Sequence, residues 1–149
     1  MAKVISVNRS KEKGVVKKPI KEGNFIQDFG LEGDGHGGPW HRQVSLLAQE
    51  SIDKMKKNLP NLKPGDFAEN ITTQGLVLYE LPIGSLLKIG DLELRVTQIG
   101  KECHQGCAIK QEVGQCVMPK EGIFARVEKA GIIKAGDEIQ LIKKEKEGA

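Results

Sequence analysis

Glycine punctuates this chain so often that turns and short strands are favoured over long helices. There are 18 glycines among 149 residues, and each is a place where the backbone can reverse or take positive φ. Between them lie short apolar stretches. Lys3–Arg9 alternates apolar and other residues and reads as a half-buried strand, and Gln43–Ala48 reads as a buried one. Gly75–Leu81, Leu86–Ile89, Leu92–Ile99, Ile123–Val127 and Glu138–Ile142 read as further strands, and Pro64–Thr73 as a turn leading into another. One short amphipathic helix follows Ala48, with Ile52, Met55 and Leu59 on one face, and Pro60 and Pro64 end it. LLKIGDLELRV and IIKAGDEIQLI share a shape, a short apolar strand, a Gly-Asp turn and an alternating strand, as two similar hairpins would. The pattern predicts a mainly β fold: a closed or nearly closed, mostly antiparallel barrel with one or two short helices.

The length suits one domain spanning residues 1–149, with a charged tail that frays from about Lys143. A net charge of +3 fits an anionic small molecule better than a nucleic-acid surface. One Trp, one Tyr and four Phe offer few platforms for stacking bases. Lys11–Lys21 reads as a solvated lysine-rich loop. No apolar run approaches membrane-spanning length, and Met1 leads almost directly into a strand rather than a cleavable leader. The three cysteines are an odd number crowded into one stretch, not a stapling framework, so a reducing cytoplasm is expected.

Chemistry is concentrated in two stretches. Gly30–Arg42 (GLEGDGHGGPWHR) packs Asp34, His36, Trp40, His41 and Arg42 between five glycines. It has neither a G-x-G-x-x-G nor a G-K-[ST] pattern, so it is not a nucleotide-phosphate loop of those types. His36 and His41 could ligate metal, move protons or donate to an oxyanion; equally, one could fix the turn and the other stand exposed.

Gly100–Arg126 carries Cys103, His104, Cys107 and Cys116 on a backbone broken by glycines and Met118-Pro119. Structural zinc on these four residues has the right donor count but poor spacing, since adjacent Cys103 and His104 can hardly serve one tetrahedral ion. A switchable disulfide between Cys103 and Cys107 is a second reading. A third is a thiolate that carries sulfur or ligates a soft metal such as molybdenum, its pKa lowered by cations among Lys101, His104, Lys110, Lys120 and Arg126. Three ordinary buried cysteines remain a fourth.

GLEGDGHGGPWHRQVSLL, PGDFAENITTQGL, IGKECHQGCAIKQEVGQCVMPKEGIFARV and AGDEI, in that order, resemble the MOSC family, named for the C-terminal domain of molybdenum-cofactor sulfurases. The resemblance covers nearly the whole chain and is that of a small stand-alone member. It implies a β-rich, barrel-like fold, binding of a molybdopterin-type cofactor, and one key cysteine that carries sulfur or ligates molybdenum. That cysteine matches Cys107, followed by Ala108 and Ile109, with Cys103, His104 and Cys116 in supporting places. His36, Asn70 and Arg126 match polar positions of the other motifs. The expected division has Arg126, Lys101 and Arg42 facing the cofactor phosphate, and Asn70 and His36 bonding pterin or oxo groups.

The resemblance further implies a role in cofactor maturation, storage or delivery. The chain has no room for a pyridoxal-phosphate desulfurase domain, so a separate cysteine desulfurase would supply sulfur and a molybdoenzyme would be the client. Two other readings stand beside this one. The first is a molybdoenzyme that reduces N-hydroxylated compounds with a partner electron donor. The second is a zinc-binding or redox-regulated module without catalysis.

Overall fold

The computed structural model describes residues 2–12, 15–35, 37–56, 60–100 and 121–142. Eleven strands are present among them: β1 (Lys3–Arg9), β2 (Lys18–Ile20), β3 (Glu22–Ile26), β4 (Gly30–Leu31), β5 (Val44–Ala48), β6 (Ile71–Gln74), β7 (Leu86–Ile89), β8 (Leu92–Ile99), β9 (Ile123–Lys129), β10 (Gly131–Lys134) and β11 (Gln140–Ile142). One α-helix, α1 (Gln49–Met55), and one 3-10 turn, Leu78–Glu80, complete the described elements.

Eight strands form one sheet in the order β11-β7-β8-β9-β5-β6-β1-β2, and β10-β3-β4 form a second. All pairings are antiparallel except β5 with β6, which run parallel. A parallel pair needs a crossover, and α1 supplies it on the way from β5 to β6.

Every residue of β5 is buried because apolar groups cover both its faces. Val44, Leu46 and Ala48 join the main core with Val4, Ile71 and Ala125. Leu47 joins a second cluster with Ile52, Phe67, Ala68 and Phe124, formed where α1 lies on the sheet. Ile52 and Met55 face that cluster as the helical spacing predicts.

The mainly β expectation holds, but the sheets do not close into a barrel. The backbone ahead of β11 approaches β1 through an isolated Lys3–Glu138 bridge and bonds such as Val4 N–H to the Asp137 carbonyl, 2.8 Å. No continuous ladder joins the two there.

Three local expectations are corrected. Gly75–Leu81 is not a strand; after β6 the chain turns through the 3-10 segment. Of the two similar stretches only the first is a hairpin, β7 with β8. In the second, β10 pairs with β3 and β11 with β7, so the Gly136-Asp137 turn passes the chain from one sheet to the other. The lysine-rich stretch is not wholly solvated: it includes β2, and Lys17 is 1% exposed.

Candidate functional site

The two chemistry-bearing stretches meet at the ends of β8 and β9. Gly100 N–H donates to the Gly122 carbonyl at 2.7 Å, holding together the two ends from which residues 101–120 depart. On the β9 side, Glu121 accepts from Ser51 Oγ at 2.5 Å and from Lys54 Nζ at 2.6 Å, which anchors it to α1. On the β8 side, Gln98 Nε2 donates to the Gly100 carbonyl at 2.7 Å, while its Oε1 lies 2.7 Å from His41 Nε2. Thr97 Oγ1 donates to the His41 carbonyl and, at 3.2 Å, to that of Phe124. The end of the glycine-rich loop is thereby tied to the root of the cysteine stretch.

Upstream, the loop is set by close backbone approach. Gly30 has φ +122°, and a Cβ there would stand 2.6 Å from the Gln43 carbonyl oxygen, so only glycine fits without displacing the entry to β5. Asp34 is held by the Ser10 amide at 3.0 Å and by Lys17 Nζ at 2.9 Å, with both charged side chains fully buried.

Arg42 is the notable cation of this surface. Its guanidinium lies 4.9 Å from the Trp40 ring centroid and 5.6 Å from that of Phe124, an arrangement in which the ring quadrupoles favour the positive charge. Its Nε is buried and has no hydrogen-bond partner among the described residues. A buried guanidinium N–H without an acceptor carries a desolvation penalty that an anion would relieve. His41 stands edge-on to Trp40, ring centroids 6.0 Å apart.

Arg126 differs. On β9 its Nη2 meets Asp28 Oδ1 at 2.7 Å, and both side chains are about half exposed, 49% and 55%. Hydrogen bonds from Arg126 and then Gln43 hold the Asp28 carboxyl below its usual range, and Asp28 raises Arg126. Gln43 braces the pair, with Nε2 donating to Asp28 at 3.0 Å and Oε1 accepting from Val127 N–H at 3.0 Å.

Asn70 lies in the interior, 0% exposed. Its Oδ1 accepts from Ser45 N–H at 3.0 Å and its Nδ2 donates to the Asn8 carbonyl at 3.3 Å. It ties β5 to β1 across the start of β6. Cys103, Cys107, Cys116, His104, Lys101 and His36 lie outside the described residues. Among the described residues no group of three or more His, Cys, Asp or Glu is placed to hold a metal.

Sequence reasoning named Trp40 in the glycine-rich stretch without giving it a role, and passed over other residues of this surface. Trp40 had a signal, being the sole tryptophan and set between a glycine-proline turn and His41-Arg42. Thr97, Gln98 and Phe124 had none, because ordinary strand residues become site neighbours only through the pairing of β8 with β9.

A mainly β scaffold that roots a cysteine-rich connection beside a glycine-rich, arginine-bearing loop is the arrangement to set against known proteins. Residues 32–140 match the family described as the MOSC domain, and the chain belongs to that family. It is 26% identical to YflK of Bacillus subtilis, an uncharacterized protein, over 92% of this chain and 66% of that one, so it spans just under two thirds of that relative's length. Among solved structures, YuaD of Bacillus subtilis superposes with a TM-score of 0.79 at 20% identity, covering 97% of this chain and 98% of that one. YiiM of Geobacillus stearothermophilus gives 0.74 at 20% identity, covering 96% and 76%. YiiM of Escherichia coli gives 0.72 at 20% identity, covering 97% and 71%. These structures share the fold.

Proposed function

We infer that this MOSC protein binds a molybdopterin-type cofactor beside the root of the 101–120 segment, with Cys107 serving as persulfide carrier or molybdenum ligand. The observation that carries this is the buried Nε of Arg42, unpartnered among the described residues, on the surface where the glycine-rich and cysteine-bearing stretches meet. That donor fits an anionic group such as a phosphate, and family membership supplies the cofactor class. Arg42 would hold the phosphate, with Trp40 and Phe124 fixing the guanidinium plane. Arg126 would join once it exchanges Asp28 for the ligand. Lys101 and His36 complete the proposed lining, and Asn70 acts from behind by fixing β5 and β6. When bound, the cofactor would supply molybdenum's sulfur and oxygen chemistry.

In this reading the protein works in cofactor maturation, storage or delivery. It takes sulfur from a separate cysteine desulfurase and serves a molybdoenzyme client. A reducing cytoplasm would keep its thiols free. Among the described residues no helix is long and apolar enough to cross a membrane.

The test is metal and pterin analysis of protein purified anaerobically from a cofactor-producing host, for the wild type, Cys107→Ala and Arg42→Ala. Molybdopterin in the wild type, lost in Cys107→Ala and reduced about tenfold or more in Arg42→Ala, is the expected result. Undiminished pterin in Arg42→Ala would remove the phosphate assignment. Stoichiometric zinc without pterin in the wild type would replace the whole reading with a zinc module.

A further inference from the structure

Glu69 is fully buried, and among the described residues no cation pairs with it. Its Oε2 accepts from Gly65 N–H at 2.9 Å and Thr72 Oγ1 at 2.6 Å, and its Oε1 from Phe67 N–H at 3.3 Å. Those bonds hold a strained turn. Gly65 has φ +92°, with the Lys17 carbonyl oxygen only 2.2 Å from where a Cβ would be, and Ala68 sits at φ +65°. Phe67, at the centre of the turn, belongs to the same apolar cluster as Phe124, whose ring lies under Arg42. The charged groups around Glu69 are already matched. Lys17 pairs with Asp34, and Asp66 pairs with Lys63 at 3.4 Å and accepts its amide at 3.0 Å. Asn8 and Thr72 contribute only neutral bonds.

We propose that Glu69 is a positioning residue for Arg42: its ionised carboxylate holds the 65–68 turn, and protonation there shifts Phe67 and Phe124 beneath the guanidinium, making anion binding pH-dependent. A carboxylate can accept all three donors at once, whereas the protonated group carries a hydrogen that, of its three partners, only the Thr72 hydroxyl can accept, by reversing its own bond. Burial, the largest influence, pushes Glu69 up to about 7, and the bonds from Gly65, Thr72 and Phe67 oppose it. The change of state therefore falls near neutral pH.

The anion half rests on the reading of Arg42 given above; the coupling itself can be measured with no anion present. Trp40, the sole tryptophan, reports on Arg42 directly. Its fluorescence in the full-length protein should shift with a midpoint at about 7. The shift should be lost in Glu69→Gln and kept in His41→Gln, the control for the imidazole beside Trp40. Thr72→Val removes a bond that lowers Glu69 and should move the midpoint upward, which keeps the idea falsifiable if Glu69→Gln does not fold. Loss of the shift in His41→Gln, or an unmoved midpoint in Thr72→Val, would overturn the coupling. In the second arm sulfate, whose charge is constant over this range, should bind about threefold or more tighter near pH 8 than near pH 6 in the wild type, and equally at both in Glu69→Gln. No sulfate binding at Arg42 would overturn the anion reading alone, and equal sulfate binding at both pH values in the wild type would overturn the pH-dependence.

Discussion

Two polar regions of this molecule use similar residues to opposite ends. In the interior, Asn8, Glu69, Asn70, Thr72 and the Lys17–Asp34 pair bond to one another and to the backbone. On the surface, Arg42 rests on Trp40 and Phe124 with a buried N–H that no described residue accepts. A matched buried group fixes architecture, whereas an unmatched donor on a half-buried surface side chain is an opening for a ligand. The difference separates scaffold from site although one stretch, Gly30–Arg42, supplies both the matched Asp34 and the unmatched Arg42.

The largest effect should come from breaking the interior. Asp34→Ala leaves the Lys17 ammonium buried without its carboxylate and should destabilise the fold by about 3–5 kcal/mol, read by urea unfolding at neutral pH. A mild change, within about 1 kcal/mol, would mean that water reaches Lys17 and that the pair is not a sealed contact.

Next comes the pH dependence of stability. Glu69 has its pKa raised from 4.5 to about 7 in the folded chain, so between those values the folded state holds the proton more firmly than the unfolded one. Its contribution is greatest below about pH 4.5 and is lost as pH rises through about 7, in all about 3 kcal/mol. Unfolding midpoints of the wild type should therefore fall across that window relative to Glu69→Gln, which lacks the titration. Parallel curves would show that Glu69 is better solvated than its burial implies.

The surface should behave in reverse. Arg42→Lys keeps the charge but loses the planar fork, so sulfate affinity should fall about tenfold while the urea midpoint barely moves. A loss of stability comparable to that of Asp34→Ala would place Arg42 with the scaffold. The smallest effect is expected from Asp28→Asn. The pair with Arg126 is solvent-exposed, the neutral amide still accepts from Gln43, and the unfolding midpoint should stay where it is. Tighter sulfate binding in that variant would show Arg126 released to the ligand.

Much of the frame was legible before any coordinates. Alternation in Lys3–Arg9 and Leu92–Ile99, and the mostly apolar run in Gln43–Ala48, announced β1, β8 and β5 because strand patterning reflects which faces are buried. β2 and β4 passed unnoticed, since two or three residues leave too short a pattern to register. Gly75–Leu81 misled because its apolar residues serve a 3-10 turn. At the site, Arg42 and the glycine-rich loop stood out by composition, but the unlike fates of Arg42, Asn70 and Arg126 did not, because all three sit in similar polar motifs.

By itself, then, the sequence determined the mainly β class, the family and the two stretches where chemistry gathers, since these follow from local pattern and residue type. Only the tertiary structure decided which polar groups are matched. Asn70 turns inward between β5 and β1, Arg126 meets Asp28, and the buried Nε of Arg42 finds no acceptor among the described residues. Matching is a property of pairs, and the partners lie 25, 62 and 98 residues apart in the chain for the Asn70 and Arg126 contacts. No local window spans such separations; the strand order brings them together.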